Sequence, residues 1–135
     1  MFRLLCGLIL SAVFVSPALT EEKVDCNNAM TQMEMTSCAN LDWQKADAEL
    51  NAAYKAAMAK MRETDGFLPE GQKGAVEVLR KAQRAWIPYR DNACEAYGFQ
   101  ARGGTMEPML VYGCRAKLTA QRTKALEELT GGLGN

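Results

Sequence analysis

Apolar residues recur at helical spacing through the first half of the chain. Segment 29–62 contains no Gly or Pro, and its apolar positions include Leu50, Ala53, Tyr54, Ala57, Met58 and Met61. Intervals of three and four place these side chains on one face of an amphipathic helix. Thr, Ser and Asn favour helix caps over interiors, so Thr36–Asn40 predicts a break. We therefore expect a short helix near 29–35 and a long one near 39–62.

A loop and a further helix follow in the pattern. The Gly and Pro content of Glu63–Gly71 predicts a loop. An apolar stripe then predicts a helix from about Gln72 to Tyr97. Pro88 falls inside this helix, where a proline removes one backbone hydrogen bond and usually causes a kink.

The remaining pattern predicts a turn and a last helix. Gly98–Gly104 is rich in glycine, and Thr105 is a good N-cap for a helix that ends near Leu129. No alternating pattern of strand length is present. The predicted fold class is therefore all-α, a small antiparallel helical bundle or hairpin of about three to four helices with two disulfides.

The N-terminus has the pattern of a secretory signal peptide. Arg3 precedes the apolar run Leu4–Val15, and Ser16–Ala18 supplies small residues for cleavage. The run is shorter than the roughly 20 residues that span a bilayer, which disfavours the alternative of an uncleaved anchor. We expect cleavage after Ala18, with Thr20 as the alternative. Residues 1–18 would be removed, leaving a single domain at 19–135 in the periplasm or outside the cell.

Four of the five cysteines lie in the predicted mature chain. An even number in a short exported chain indicates a disulfide framework. Cys94 and Cys114 each lie ten residues from Gly104, and positions symmetric about a helical hairpin turn lie side by side. Cys26 and Cys38, twelve residues apart, suit a local clasp on the N-terminal arm. We predict the bridges Cys26–Cys38 and Cys94–Cys114.

Composition disfavours several functional classes. The chain has 16 basic and 16 acidic residues, so no polycationic surface suggests nucleic acid. No second apolar run could span a membrane after signal cleavage. The chain contains no histidine, the commonest general base and metal ligand. We expect no catalytic residues, no metal and no cofactor, and we predict that the protein is not an enzyme.

Aromatic and charged side chains concentrate near the middle of the predicted third helix. Trp86, Tyr89 and Arg90 share one face, and such residues dominate binding hot spots. The favoured interpretation is structural: the aromatics lie in the core, and Asp47 is paired with Arg84 or Arg90. A binding patch remains the alternative.

A set of residues spread along nearly the whole mature chain forms a recognisable pattern. Its members are Asp25, Cys26, Thr31, Gln32, Glu34, Met35, Cys38, Ala46, Asp47, Leu50, Asn51, Tyr54, Ala82, Gln83, Arg84, Ala85, Trp86, Tyr89, Arg90, Asp91, Cys94, Gly103, Gly104, Thr105, Met106, Pro108, Cys114, Leu118, Thr119 and Arg122. In these residues the chain resembles the LprI-type lysozyme-inhibitor family of exported bacterial domains. The resemblance extends from about Asp25 to Leu129, and Pro88 departs from the family's pattern.

The resemblance implies a helical, disulfide-bonded periplasmic or surface domain that blocks c-type lysozyme by protein–protein contact. The alternative is a structural or accessory module of the cell envelope with no action on lysozyme. If the domain is an inhibitor, we expect a loop to enter the enzyme's cleft, because binding residues concentrate on loops held by a rigid scaffold. Phe99 and Arg102 are candidates for the cleft, and Glu63, Asp65 and Glu70 for the basic outer surface of the lysozyme.

Overall fold

The computed structural model describes residues 24–131, and the predicted signal peptide lies outside the described residues. Three α-helices carry the fold: α1 spans Gln32–Phe67, α2 spans Ala75–Gly98 and α3 spans Glu107–Gly131. Single turns of 3-10 helix occupy Glu70–Gln72 and Phe99–Ala101. No strand occurs among these described residues, and the predicted all-α class is confirmed.

Helix α1 is one continuous helix, and the predicted break at Thr36–Asn40 is wrong. The Thr36 hydroxyl donates to the Gln32 carbonyl oxygen (2.8 Å), so its polar group is satisfied inside the helix. The helix begins instead at a capping box on Thr31 and Glu34. Donation from the backbone N–H of Thr31, and then of Met30, holds the pKa of Glu34 below its ordinary value.

Three other predicted boundaries also need correction. Helix α1 extends to Phe67, so Glu63 and Asp65 lie in a helix and the connection is shorter than Glu63–Gly71. Helix α2 begins at Ala75 rather than near Gln72. Helix α3 begins at Glu107, two residues after the predicted cap Thr105.

The three helices form an up–down–up bundle in which α1 and α3 share the most extensive interface. The two run parallel, and Gln32 Nε2 contacts Met109 Sδ near both N-termini (3.4 Å). The predicted stripe of α1 faces the core. The core cluster contains Leu50, Ala53, Ala57, Leu79 and Leu126, with Tyr54, Met58, Met61 and Trp86 packed against it.

The two aromatics that were predicted to be buried differ in their environment. Trp86 is half-buried against the core cluster. Tyr89 is 62% exposed, so the prediction that it lies in the core is wrong. Three residues separate the two rings along α2, a rotation of about 300° on an ideal helix, and this carries Tyr89 out of the narrow buried stripe.

Both predicted disulfides are present. Cys26 and Cys38 have Cα atoms 5.6 Å apart, and Cys94 and Cys114 have Cα atoms 5.4 Å apart. The Cys94–Cys114 bridge joins α2 to α3, and Cys94 is fully buried. Cys26 is exposed and belongs to the arm that precedes α1. Cys94–Cys114 therefore fixes the α2–α3 hairpin, whereas Cys26–Cys38 holds the N-terminal arm.

Candidate functional site

The α2–α3 turn brings Phe99 and Arg102 together at the surface. Phe99 is 60% exposed, and the Arg102 guanidinium carbon lies 4.5 Å from its ring centroid. Arg102 Nη1 donates to Glu107 Oε1 (2.6 Å), and the Gly103 backbone N–H donates to Glu107 Oε2 (2.8 Å). Donation from Gly103, and then from Arg102, holds the pKa of Glu107 below its ordinary value. The first turn of α3 therefore fixes the conformation of Arg102.

A groove of about 560 Å³ runs beside this turn, between the end of α2 and the start of α3. Glu95 and Phe99 lie on the α2 side, and Arg102 lies at the turn. The other lining residues belong to α3: Glu107, Pro108, Val111, Tyr112 and Arg115. The groove thus combines apolar, aromatic and charged groups, and it includes two of the residues predicted to bind a partner.

Close approach of α2 and α3 shapes the groove. A Cβ atom placed on Gly98 would lie 2.6 Å from Val111 Cγ2, well inside van der Waals contact. The absence of a side chain at Gly98 therefore lets the helices meet at this level. The Cys94–Cys114 bridge joins the same two helices about one turn away. The close contact at Gly98 and the disulfide together set the separation of α2 and α3 at the groove.

A buried arginine links all three helices behind the groove. The Arg90 side chain is 8% exposed, and its guanidinium donates to Asp47 Oδ1 (3.2 Å), Asp91 Oδ1 (3.0 Å) and Thr119 Oγ1 (3.4 Å). Its guanidinium carbon lies 5.1 Å from the ring centroid of Trp86. We call these five residues the Arg90 cluster. The structure thus selects Arg90 as the partner of Asp47. Arg84 is exposed and makes no ion pair within residues 24–131.

The Arg90 cluster is continuous with further residues that were not predicted from the sequence to belong to a site. Trp43 stacks on Tyr112 with ring centroids 5.7 Å apart, and the guanidinium carbon of Arg115 lies 5.1 Å from the Trp43 centroid. Arg115 Nε lies 3.3 Å from Asp91 Oδ1, but its N–H is not aligned for a hydrogen bond. Trp43 continues the α1 stripe toward the N-terminus, seven residues before Leu50, and that spacing was its available signal.

The predicted acidic candidates lie at the opposite end of α2. Glu63 is paired with Lys60 within α1 (3.0 Å). Glu70 is paired with Lys73 and remains largely exposed. The Asp65 carboxylate accepts the backbone N–H groups of Gly74 (2.9 Å), Ala75 (2.9 Å) and Val76 (3.1 Å). Asp65 therefore caps the N-terminus of α2, whereas Glu63 and Glu70 present carboxylates to solvent.

Within residues 24–131, no group of three or more His, Cys, Asp or Glu side chains is arranged to hold a metal ion. In the same part of the chain, no helix combines the length and apolarity needed to cross a membrane.

The family described as lysozyme inhibitor LprI matches residues 25–126. This range contains the four disulfide cysteines, the Arg90 cluster and every residue that lines the groove. The match therefore covers the whole of the candidate site.

Individual relatives agree with this assignment. An uncharacterised protein of Rhizobium meliloti (strain 1021) is 54% identical over 108 residues, which cover 78% of each chain. An uncharacterised protein of Escherichia coli (strain K12), YecT, is 34% identical over 62 residues, or 44% of this chain and 37% of its own. A crystal structure of a DUF1311 family protein from Pseudomonas putida KT2440 matches with a TM-score of 0.66 at 23% identity, covering 76% of this chain and 97% of that one. This last likeness establishes a shared fold.

Proposed function

The chain belongs to the LprI lysozyme inhibitor family, and from this premise we propose that it is an exported protein that blocks c-type lysozyme by direct contact. The observation that carries the proposal is the α2–α3 turn, where the exposed Phe99 ring and the Arg102 guanidinium form one projecting unit. Aromatic side chains, phenylalanine included, and arginine are enriched at protein interfaces, and arginine is frequent among the residues that dominate binding energy.

The α2–α3 turn is suited to enter a cleft without large ordering costs. The Cys94–Cys114 bridge anchors both flanking helices, and Glu107 restrains Arg102 and Gly103. Immobilising a flexible side chain on binding costs about 0.5–1.5 kcal/mol, and a restrained chain has less of this freedom to lose. In the proposed complex Phe99 buries apolar area, and Arg102 meets the acidic side chains that glycoside hydrolases present in their clefts.

The exposed carboxylates at the far end of α2 have a separate role in this proposal. Glu63 and Glu70 would attract the basic outer surface of a c-type lysozyme and raise the association rate more than the affinity. Asp65 faces the α2 backbone, so we assign it to the fold.

Export is part of the same proposal. The signal-peptide pattern of residues 1–18 would direct the chain out of the cytoplasm. The oxidising environment outside the cytoplasm lets the two disulfides form and persist. The mature domain would begin near residue 19 in the periplasm or outside the cell. Mass determination of the exported protein tests the cleavage site, and a mass that includes residues 1–18 would contradict it.

Inhibition of peptidoglycan lysis by a purified c-type lysozyme tests the proposal directly. We expect the mature domain to slow lysis, and Phe99→Ala and Arg102→Ala to weaken inhibition about thirtyfold or more, the scale of a hot-spot residue. Matched controls are Phe67→Ala, an 82% exposed phenylalanine before α2, and Arg62→Ala, an exposed arginine of α1. Both controls should leave inhibition unchanged. Full lysis at high concentrations of folded domain would contradict lysozyme inhibition and favour an envelope accessory role.

A further inference from the structure

One lining residue of the groove has a charge without an internal partner. Arg102 is paired with Glu107, and Arg115 lies beside Asp91. Glu95, exposed on the last turns of α2, makes no ion pair or side-chain hydrogen bond with any residue in 24–131. Asp47 and Asp91 together balance Arg90 and Arg115, and Glu107 balances Arg102. Glu95 is therefore the carboxylate of the groove lining that has no cationic partner within residues 24–131.

We infer that this groove receives a lysine or arginine side chain from the partner protein, with Glu95 as its counter-ion. The inference deepens the proposed function and rests on it for the identity of the partner. Apolar and aromatic walls from Phe99, Val111 and Tyr112 exclude part of the solvent around an inserted cation. An ion pair strengthens when water is partly excluded, because screening falls.

The size and rigidity of the groove favour such an occupant. The groove volume of about 560 Å³ exceeds the volume of a single basic side chain. The groove therefore also has room for partner residues next to the inserted lysine or arginine. The Gly98–Val111 contact and the Cys94–Cys114 bridge fix the separation of the walls before binding. The aliphatic stem of a lysine or arginine packs on apolar walls while its charged end reaches a carboxylate. The complementary partner therefore presents one long basic side chain that projects from its surface.

A peptide probe tests the groove without lysozyme. The measurement is the shift of backbone amide NMR signals on titration with acetylated, amidated Gly-Arg-Gly, with Gly-Gln-Gly as the neutral peptide. We expect saturable shifts at Glu95, Phe99 and Val111 with the arginine peptide alone, and binding at least fivefold weaker in Glu95→Gln. Glu128→Gln removes an exposed carboxylate of α3 outside the groove and should bind as the wild type does. Absence of shifts at the groove, or equal affinity in Glu95→Gln, would overturn the inference.

A lysozyme assay separates this inference from the proposed function. We expect Glu95→Gln to weaken inhibition about tenfold, with Glu128→Gln unchanged. If Phe99→Ala abolishes inhibition and Glu95→Gln leaves it intact, the proposed function stands and the groove inference fails. If the arginine peptide binds at Glu95 and no c-type lysozyme is inhibited, the groove inference stands and the proposed function fails.

Discussion

At the scale of single residues, Arg90 determines how the polar interior of the bundle is organised. Its guanidinium joins Asp47 of α1, Asp91 of α2 and Thr119 of α3. Burying a charge is unfavourable unless that charge is paired and hydrogen-bonded, and Arg90 meets both conditions. These directional contacts join one face of each helix at this level of the bundle.

Replacement of Arg90 by methionine should destabilise the fold. Arg90→Met keeps much of the side-chain volume but leaves Asp47 without a cation and Asp91 with Arg115 alone. Breaking a buried pair typically costs 3–5 kcal/mol, and partial exposure of Asp47 and Asp91 sets the expected loss near the lower end, about 3 kcal/mol. Urea unfolding measures the change in free energy. Arg84→Met, at an exposed position on the same helix, should change stability by less than about 0.5 kcal/mol.

A loss below about 1 kcal/mol for Arg90→Met would mean that the carboxylates rehydrate freely and that Arg90 does not organise the interior. The sequence could identify Asp47 as needing a cation, because a carboxylate on a packed helix face requires a partner. Charge alone does not choose between Arg84 and Arg90. Helical spacing favours Arg90, because it shares a face with Trp86 and Arg84, six residues earlier, lies on a different face.

At the scale of elements, the connection between α1 and α2 depends on one carboxylate. Asp65, in the last turn of α1, caps the first turn of α2 by accepting three backbone N–H groups. Gly74 precedes α2 with a φ of 145°, a backbone conformation that favours glycine. The composition of Glu63–Gly71 correctly indicated that a loop connects the two helices, although its bounds differ. It could not reveal that Asp65 remains helical, because that depends on a contact nine residues later in the chain.

The Asp65 cap predicts a pH dependence of stability. Backbone donation from Gly74, and then from Val76 and Ala75, holds the pKa of Asp65 below its ordinary value of 3.8. A lowered folded-state pKa gives stability that is present above the unfolded pKa and is lost as pH falls through the folded value. Wild type should therefore have a higher Tm than Asp65→Asn at pH 7, and the difference should shrink below about pH 4.

Thermal melts at pH 7, 4 and 2.5 test this expectation, with Asp42→Asn as the control. Asp42 is exposed on α1 and makes no side-chain hydrogen bond or ion pair within residues 24–131. The Tm of Asp42→Asn should follow that of wild type at every pH. A Tm difference for Asp65→Asn that stays constant from pH 7 to 2.5 would show that charge is not the source of the cap's stability.

Helix boundaries show where local patterns stop being informative. The α1 stripe from Leu50 to Met61 was predictable because helical spacing alone assigns it to the core. The break at Thr36–Asn40 was predicted from residue preferences that the helix overrides by bonding Thr36 to the Gln32 carbonyl. The Thr31–Glu34 capping box was readable in the sequence, and it would have placed the helix start correctly.

At the scale of the whole molecule, the two disulfides divide the fold into a fixed hairpin and a tethered arm. Cys94–Cys114 crosslinks α2 and α3 beside the groove and beneath the Phe99–Arg102 turn. Cys26–Cys38 attaches a largely exposed arm to α1. The pairing was predictable because symmetry about Gly104 dictates which positions of a hairpin meet. The groove was not, because it depends on how closely Gly98 lets α2 approach Val111.

Removal of each bridge should therefore have different consequences. A double variant Cys94→Ala, Cys114→Ala loses a constraint on a 20-residue loop and packing at the fully buried Cys94, so we expect about 2–4 kcal/mol less stability. A double variant Cys26→Ala, Cys38→Ala frees an arm that can fray locally while the bundle persists, so the expected loss is below about 1 kcal/mol. Urea unfolding monitored by circular dichroism measures both.

The same pair of variants connects stability to the proposed function. At a temperature where circular dichroism shows both proteins fully folded, the hairpin variant should lose inhibition, because its Phe99–Arg102 turn must be ordered on binding. The arm variant should inhibit as the wild type does, because its bridge lies outside the groove and the turn. Equal inhibition by both folded variants would show that the turn needs no covalent preorganisation. Loss of inhibition in the arm variant alone would move the binding surface to the N-terminal arm and the start of α1.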